Sequence, residues 1–127
     1  YLDVIQNRDI RKCYTKLRIS THKLRIETGR YLKHDKKKLE ANERICEFCS
    51  LNEVEDEIHF ITSCEFYKTE RQSLYKRIDT KMINFVALSN KNKFIWLMSN
   101  ENKDVIIYLS NYISDCFQKR NSITHIR

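Results

Sequence analysis

Proline is absent from the 127 residues and glycine occurs once, at Gly29. That excludes the Gly-rich phosphate loops of dinucleotide- and mononucleotide-binding proteins, which need several glycines. It also argues against a turn-dense all-β sandwich. No apolar run approaches the ~18 residues of a membrane span. Residues Tyr1–Lys12 lack the apolar core of a secretory leader. There is no Asp-Asp dipeptide of the kind a polymerase metal site uses, and no Ser/His/Asp or Cys/His nucleophile set stands out. The chain opens on Tyr1 rather than methionine, so it reads as a piece of something longer. The five cysteines are odd in number, so a closed disulfide framework cannot use them all.

What is present reads as one globular domain. Hydrophobic residues make up 41% and charged residues 32%, too apolar for a disordered chain. Lysine (14), isoleucine (15) and asparagine (10) dominate, a bias that looks like an AT-rich coding sequence and says little about mechanism. The net charge is +7, unevenly spread: +6 over residues 1–50, −5 over 51–70 and +6 over 71–127. A basic chain often binds a polyanion, of which nucleic acid is the commonest; the bland alternative is lysines that merely solvate helices.

Hydrophobic periodicity predicts an all-α domain spanning residues 1–127, with four or five helices and at most a short β-hairpin at the Cys46-x2-Cys49 turn. Ile10, Tyr14 and Leu17 place a helix over Asp9–Arg18. Leu24 and Ile26 precede Gly29, a helix stop. Arg30–Asn42 reads as an exposed loop or a frayed helix. Glu55–Ser63 reads as a short helix. Tyr67, Arg71, Leu74, Ile78 and Met82 form one stripe of a helix over Tyr67–Met82, widened by Tyr75. Asn92–Met98 and Asp104–Arg120 complete the set, the last capped by Asn102 or Asp104, with 121–127 fraying. Leu74, Ile78, Leu109 and Ile113 are expected to join the two longest helices, with Phe94 and Trp96 buried. The aromatic stripes, with Tyr67, Tyr75, Trp96 and Tyr112, have core spacing rather than that of base-stacking platforms. Cys13 and Cys116 lie alone on apolar stripes, as small buried hydrophobes in a reducing compartment.

The chemistry is concentrated in residues 43–67. There Cys46-x2-Cys49 is followed after nine residues by His59-x4-Cys64. Two cysteines three apart can ligate one metal from a tight turn, and the second pair closes a tetrahedron. Three thiolates and one imidazole make a closed structural zinc site. The alternatives are a Cys46–Cys49 redox pair, or three buried cysteines beside an unrelated histidine. A redox pair wants a strand-then-helix context that is missing here. Nine residues between the second cysteine and the histidine separate the motif from a retroviral-type knuckle, and the lack of a second histidine separates it from a ββα finger. Asp56 or Glu57 could fix the tautomer of His59, or simply favour a helix start. His22, His34 and His125 receive no role.

The runs STHKLRIETGRY (Ser20–Tyr31), ERICEFC (Glu43–Cys49) and EVEDEIHFITSCEFY (Glu53–Tyr67) with Arg71 resemble a C-terminal region of non-LTR retrotransposon reverse transcriptases. The late stretch Tyr108–Arg120 has the same flavour. Ser50-Leu51 departs from that family, where glycine or proline is common after the second cysteine. The resemblance implies zinc on Cys46, Cys49, His59 and Cys64. It also implies a cysteine-rich tail that follows a polymerase domain and helps bind template RNA or DNA.

The expectation is therefore a non-catalytic, intracellular (nuclear or cytoplasmic) zinc and nucleic-acid-binding module with no membrane partner. Its basic side chains would meet phosphates: Lys16, Arg18, Lys23, Arg25, Arg30, Lys33, Lys36, Lys37, Lys38 and Arg44. The acidic block around His59 would be repelled by phosphate, so the metal site itself would face away. The competing reading is a zinc-stabilised protein-interaction or scaffold module of a larger protein.

Overall fold

The computed structural model of the protein describes residues 4–18, 24, 33–34, 37–38 and 43–126. The order of elements is α1 (Arg8–Arg18), β1 (Lys33–His34), β2 (Lys37–Lys38), α2 (Glu57–Thr62), α3 (Lys68–Ile78), α4 (Asn90–Ser99) and α5 (Lys103–Ile126). The all-α expectation holds. The β-structure among the described residues is β1 against β2, antiparallel with Lys33 opposite Lys38, and a single bridge between Ile45 and Val54. The helix stop expected at Gly29, and Ile26 before it, lie outside the described residues.

With so little proline and glycine, short polar side chains punctuate the helices. Asn7 accepts from the amides of Asp9 (2.9 Å) and Ile10 (3.1 Å) at the start of α1. Asp56 accepts from His59 N (2.8 Å) at the start of α2, and Ser89 from Asn92 N (3.2 Å) at the start of α4. Asn102, rather than Asp104, caps α5 by accepting from Asp104 N (2.9 Å) and Val105 N (3.3 Å). Each such cap satisfies backbone donors that the first turn leaves over. Asn52 (φ 57°) and Asn84 (φ 69°) take the left-handed turns that glycine would otherwise supply. The first of these explains how the knuckle turns without the glycine or proline expected after its second cysteine.

Helix α5 is the spine, and α1 and α3 both pack on it. The expected joint is present: Leu74, Ile78, Leu109 and Ile113 are all buried. Burying side chains of this size is worth about 1.5–3 kcal/mol each. Helix α3 ends at Ile78, not Met82. The amides of Lys81 and Met82 turn back to the Ile78 carbonyl (2.8 and 3.0 Å), and Lys81 then reaches Asp104 at the start of α5 (2.7 Å). Helix α5 continues through Ile126 where fraying was expected. Phe117 and Arg120 are still buried, so the packed part of the helix reaches Arg120.

Phe94 and Trp96 are only half-buried; Leu97 is the fully buried residue of α4. Trp96 instead lies against the buried Phe85, with ring centroids 5.4 Å apart. Tyr67 and Tyr112 are buried in the core, as their spacing indicated. Cys116 is fully buried, while Cys13 is half-buried.

Candidate metal centre

The centre is assembled from a loop and a six-residue helix. Residues 44–55 fold back on themselves: Cys46 N donates to Glu53 O and Glu55 N to Arg44 O, both at 2.9 Å. That pairing presents Cys46 and Cys49 on the turn. Asp56 then starts α2, which carries His59, and Cys64 follows just beyond its end. None of the five cysteines forms a disulfide.

The four ligand atoms of Cys46, Cys49, His59 and Cys64 lie within 4.8 Å of one another. The two sulfurs of Cys46 and Cys64 are 3.8 Å apart, and Cys49 Sγ is 3.4 Å from His59 Nε2. A tetrahedron with metal–sulfur bonds of about 2.3 Å and a metal–nitrogen bond of about 2.0–2.1 Å has edges of about 3.8 and 3.5 Å. The side chains are thus spaced as the ligands of one ion would be, and the four can hold a metal ion. Cys46, His59 and Cys64 are buried and Cys49 is half-buried. Phe48 N donates to Cys46 Sγ at 3.4 Å, a contact that favours a thiolate. Against it, the hydrogen bond with Cys64 and burial push the Cys46 thiol far up. Burial alone would lower His59, but Cys46, Glu53 and Glu55 together hold it above its ordinary value. A metal at this centre must therefore displace protons, which couples its binding to pH.

Around the centre, the short α2 is held by side chains from the two long helices. Arg71, buried on α3, donates through Nη2 to Cys64 O (2.7 Å) and through Nε to Ile61 O (3.2 Å). Tyr112 on α5 donates to Phe60 O (2.6 Å), and Tyr75 on α3 to Ile61 O (3.1 Å). These donors satisfy carbonyls that the last turn of a helix cannot pair internally. Phe60 packs face to face on Phe117 at 5.0 Å and edge-on against Tyr67 at 5.0 Å.

Within the acidic block, Glu55 stands apart. It is 1% exposed and gripped by Arg120 of α5, with Nη2 donating to Oε1 at 2.8 Å and Nη1 donating to Oε2. Sequence reasoning missed the pair because its members are 65 positions apart. Nor does either acid fix the imidazole. Asp56 spends its carboxylate on the helix start, and His59 Nδ1 has no hydrogen-bond partner.

Six of the ten basic residues expected to meet phosphate are among the described residues. Lys16 is exposed on α1, Arg18 ends that helix, and Arg44 is half-buried beside the knuckle. Lys33, Lys37 and Lys38 lie in the β1–β2 pair. Lys23, Arg25, Arg30 and Lys36 lie outside the described residues. Arg8 and Lys12, overlooked in the sequence, are also exposed on α1, at four-residue steps with Lys16. Their signal was that spacing, on the side of α1 opposite the buried Tyr14 and Leu17. Among the described residues no helix is long and apolar enough to cross a membrane.

Comparison with known protein families, curated proteins and solved structures finds no match to this chain.

Proposed function

We propose that the chain is a zinc-stabilised, basic module that holds nucleic acid by its phosphates, of the kind found toward the C-terminus of reverse-transcriptase-like retrotransposon proteins. Three thiolates and one imidazole suit zinc over harder ions. Four protein ligands leave no position for a reacting water, so the metal is structural and the module non-catalytic. Polymerase chemistry would belong to a domain preceding it on the same polypeptide. Thiolate ligands need a reducing compartment, nuclear or cytoplasmic.

The observation that carries the nucleic-acid reading is the separation of charge. Arg8, Lys12 and Lys16 step along the exposed side of α1, about 6 Å apart at 1.5 Å per residue. In the sequence they precede the basic stretch that ends at Arg44, whereas Glu53 and Glu65 are exposed on the knuckle. Binding of this kind is mostly electrostatic and tolerant of sequence. The second reading, a protein-interaction or scaffold module, is favoured by Ile83, Val86 and Ile95, which are at least half exposed.

A salt titration against fluorescent RNA and DNA oligonucleotides separates the two. Affinity is expected to fall with salt, with a log–log slope of about −0.7 to −0.9 per phosphate met. Changing Lys36, Lys37 and Lys38 together to alanine is expected to weaken binding and flatten the slope while zinc content is unchanged. Neutralising Glu53 and Glu65 is expected to leave binding equal or tighter. Glu55 and Asp56 are unsuitable for that test, since one is buried in an ion pair and the other caps α2. Absence of binding at low salt overturns the nucleic-acid reading in favour of the interaction module.

A further inference from the structure

Glu55 stands in an unusual place for a carboxylate. Its Oε2 accepts a hydrogen bond from Cys46 Sγ at 3.4 Å, and the residue is buried. While Cys46 is a thiol, that contact is favourable. A zinc-bound cysteine is a thiolate, so metal binding removes the shared proton and sets two negative groups against each other. Three thiolates, one neutral imidazole and Zn²⁺ already carry a net charge of about −1, and Glu55 adds a second negative charge at contact distance. In a buried site such a pair repels strongly.

The cation that meets this charge comes from the far end of the chain. Arg120, near the end of α5 and 8% exposed, donates to both oxygens of Glu55. Its guanidinium also lies over the Phe48 ring, 4.3 Å from the centroid, between the two cysteines of the first pair in sequence. Tyr67 accepts from Arg120 Nη1 at 3.4 Å. Among the described residues, the other buried arginine, Arg71, is directed at backbone carbonyls.

We propose that Arg120 is a positioning residue of the metal centre: it compensates Glu55 against the Cys46 thiolate, so that zinc binding and the docking of the end of α5 are one coupled event. The inference rests on the zinc reading above. It goes beyond that reading because it makes a residue more than fifty positions from the last ligand part of the site.

The two members of an ordinary structural ion pair behave alike when either is removed. Here they are expected to behave in opposite ways. Glu55→Gln removes the repulsion, keeps an oxygen for Arg120 and offers an amide N–H to the thiolate, so zinc affinity is expected to be unchanged or higher. Arg120→Met takes the paired guanidinium away from Glu55 and is expected to weaken zinc about 10- to 100-fold, the usual range for outer partners of metal ligands. The double variant Glu55→Gln/Arg120→Met removes both charges and is expected to return to within about threefold of the original chain. It also remains informative if Arg120→Met fails to fold.

The experiment is competition for zinc against a chromophoric chelator at fixed pH, with far-UV circular dichroism of each zinc-loaded variant. Amide exchange in residues 116–123, with and without chelator, reads the reciprocal effect, and exchange there is expected to speed up when zinc is removed. If Glu55→Gln and Arg120→Met weaken zinc to the same extent, if Arg120→Met leaves the affinity unchanged, or if exchange in 116–123 ignores the metal, the proposal is overturned while the zinc centre stands. If the original chain binds no zinc, the reading beneath it has failed instead.

Discussion

Cys64 and Cys116 are equally buried, each fully closed to solvent, yet they belong to different chemistries. Cys116 lies on the apolar row of α5, where burial pushes its thiol far up and keeps it inert. The Cys64 sulfur is 3.8 Å from that of Cys46, in a group of four ligand atoms. Burial alone does not decide what a cysteine does; its neighbours do. The same contrast divides the molecule. The helical part, from α3 to α5, is held by apolar packing that its own sequence supplies. The knuckle has one bridge and a six-residue helix, too little regular structure to stand alone. It is held by polar side chains sent in from α3 and α5, and its four ligand atoms are placed to hold a metal ion.

The largest expected effect breaks the knuckle and spares the other cysteine. Chelation, or Cys64→Ser, is expected to abolish stoichiometric zinc and loosen residues 43–67, because structural zinc contributes on the order of 10 kcal/mol of binding free energy to small folds. Amide exchange and thermal melting with and without chelator measure it. Cys116→Ala is expected to keep one zinc per chain, and loss of zinc from that variant would erase the contrast.

The helical part should fail by a different route. Ile113→Ala, at the α3–α5 joint, is expected to cost about 2–5 kcal/mol through lost burial and a residual cavity. Denaturant melts of the zinc-loaded variant would read that loss at undiminished zinc content.

An intermediate effect is expected at alkaline pH. Burial pushes Tyr75 up to about 12 and also raises the Cys116 thiol and the Tyr67 and Tyr112 hydroxyls above their ordinary values. The unfolded chain ionises these groups first, so their contribution is fully present below pH about 9 and is lost as pH rises past the ordinary thiol and phenol values. Zinc-loaded protein should therefore melt at steadily lower temperature above that pH, with the knuckle thiolates, already ionised, contributing little to the slope.

The smallest expected effect is local. Asp56→Ala removes the cap of α2 and is expected to cost about 0.5–2 kcal/mol. Because that cap orients the turn carrying His59, zinc affinity should fall modestly, while Asn102→Ala, a cap of similar size on α5, should lower stability without moving zinc affinity.

Much of this was legible in the residues. The metal ligands could be read because all four fall within nineteen positions, and short-range spacing survives whatever the fold does elsewhere. The helices of the core could be read because Leu74, Ile78, Leu109 and Ile113 recur with helical period. Phe94 to Met98 could not be resolved into faces, because five apolar residues in a row carry no period; that Leu97 is buried and Ile95 half exposed is decided by packing. Glu55 was legible only as one member of an acidic block, since the arginine that takes it inside stands 65 positions away. The basic stretch from Lys16 to Arg44 was legible only as charge.

The central claim is that Cys46, Cys49, His59 and Cys64 hold one zinc that organises the knuckle. Zinc-edge X-ray absorption on protein purified under reducing conditions, with metal content measured on the same sample, tests it most directly. The account predicts one zinc per chain, with three sulfurs at about 2.3 Å and one nitrogen at about 2.0–2.1 Å. A substoichiometric metal content, or a first shell of oxygens with fewer than three sulfurs, would contradict it.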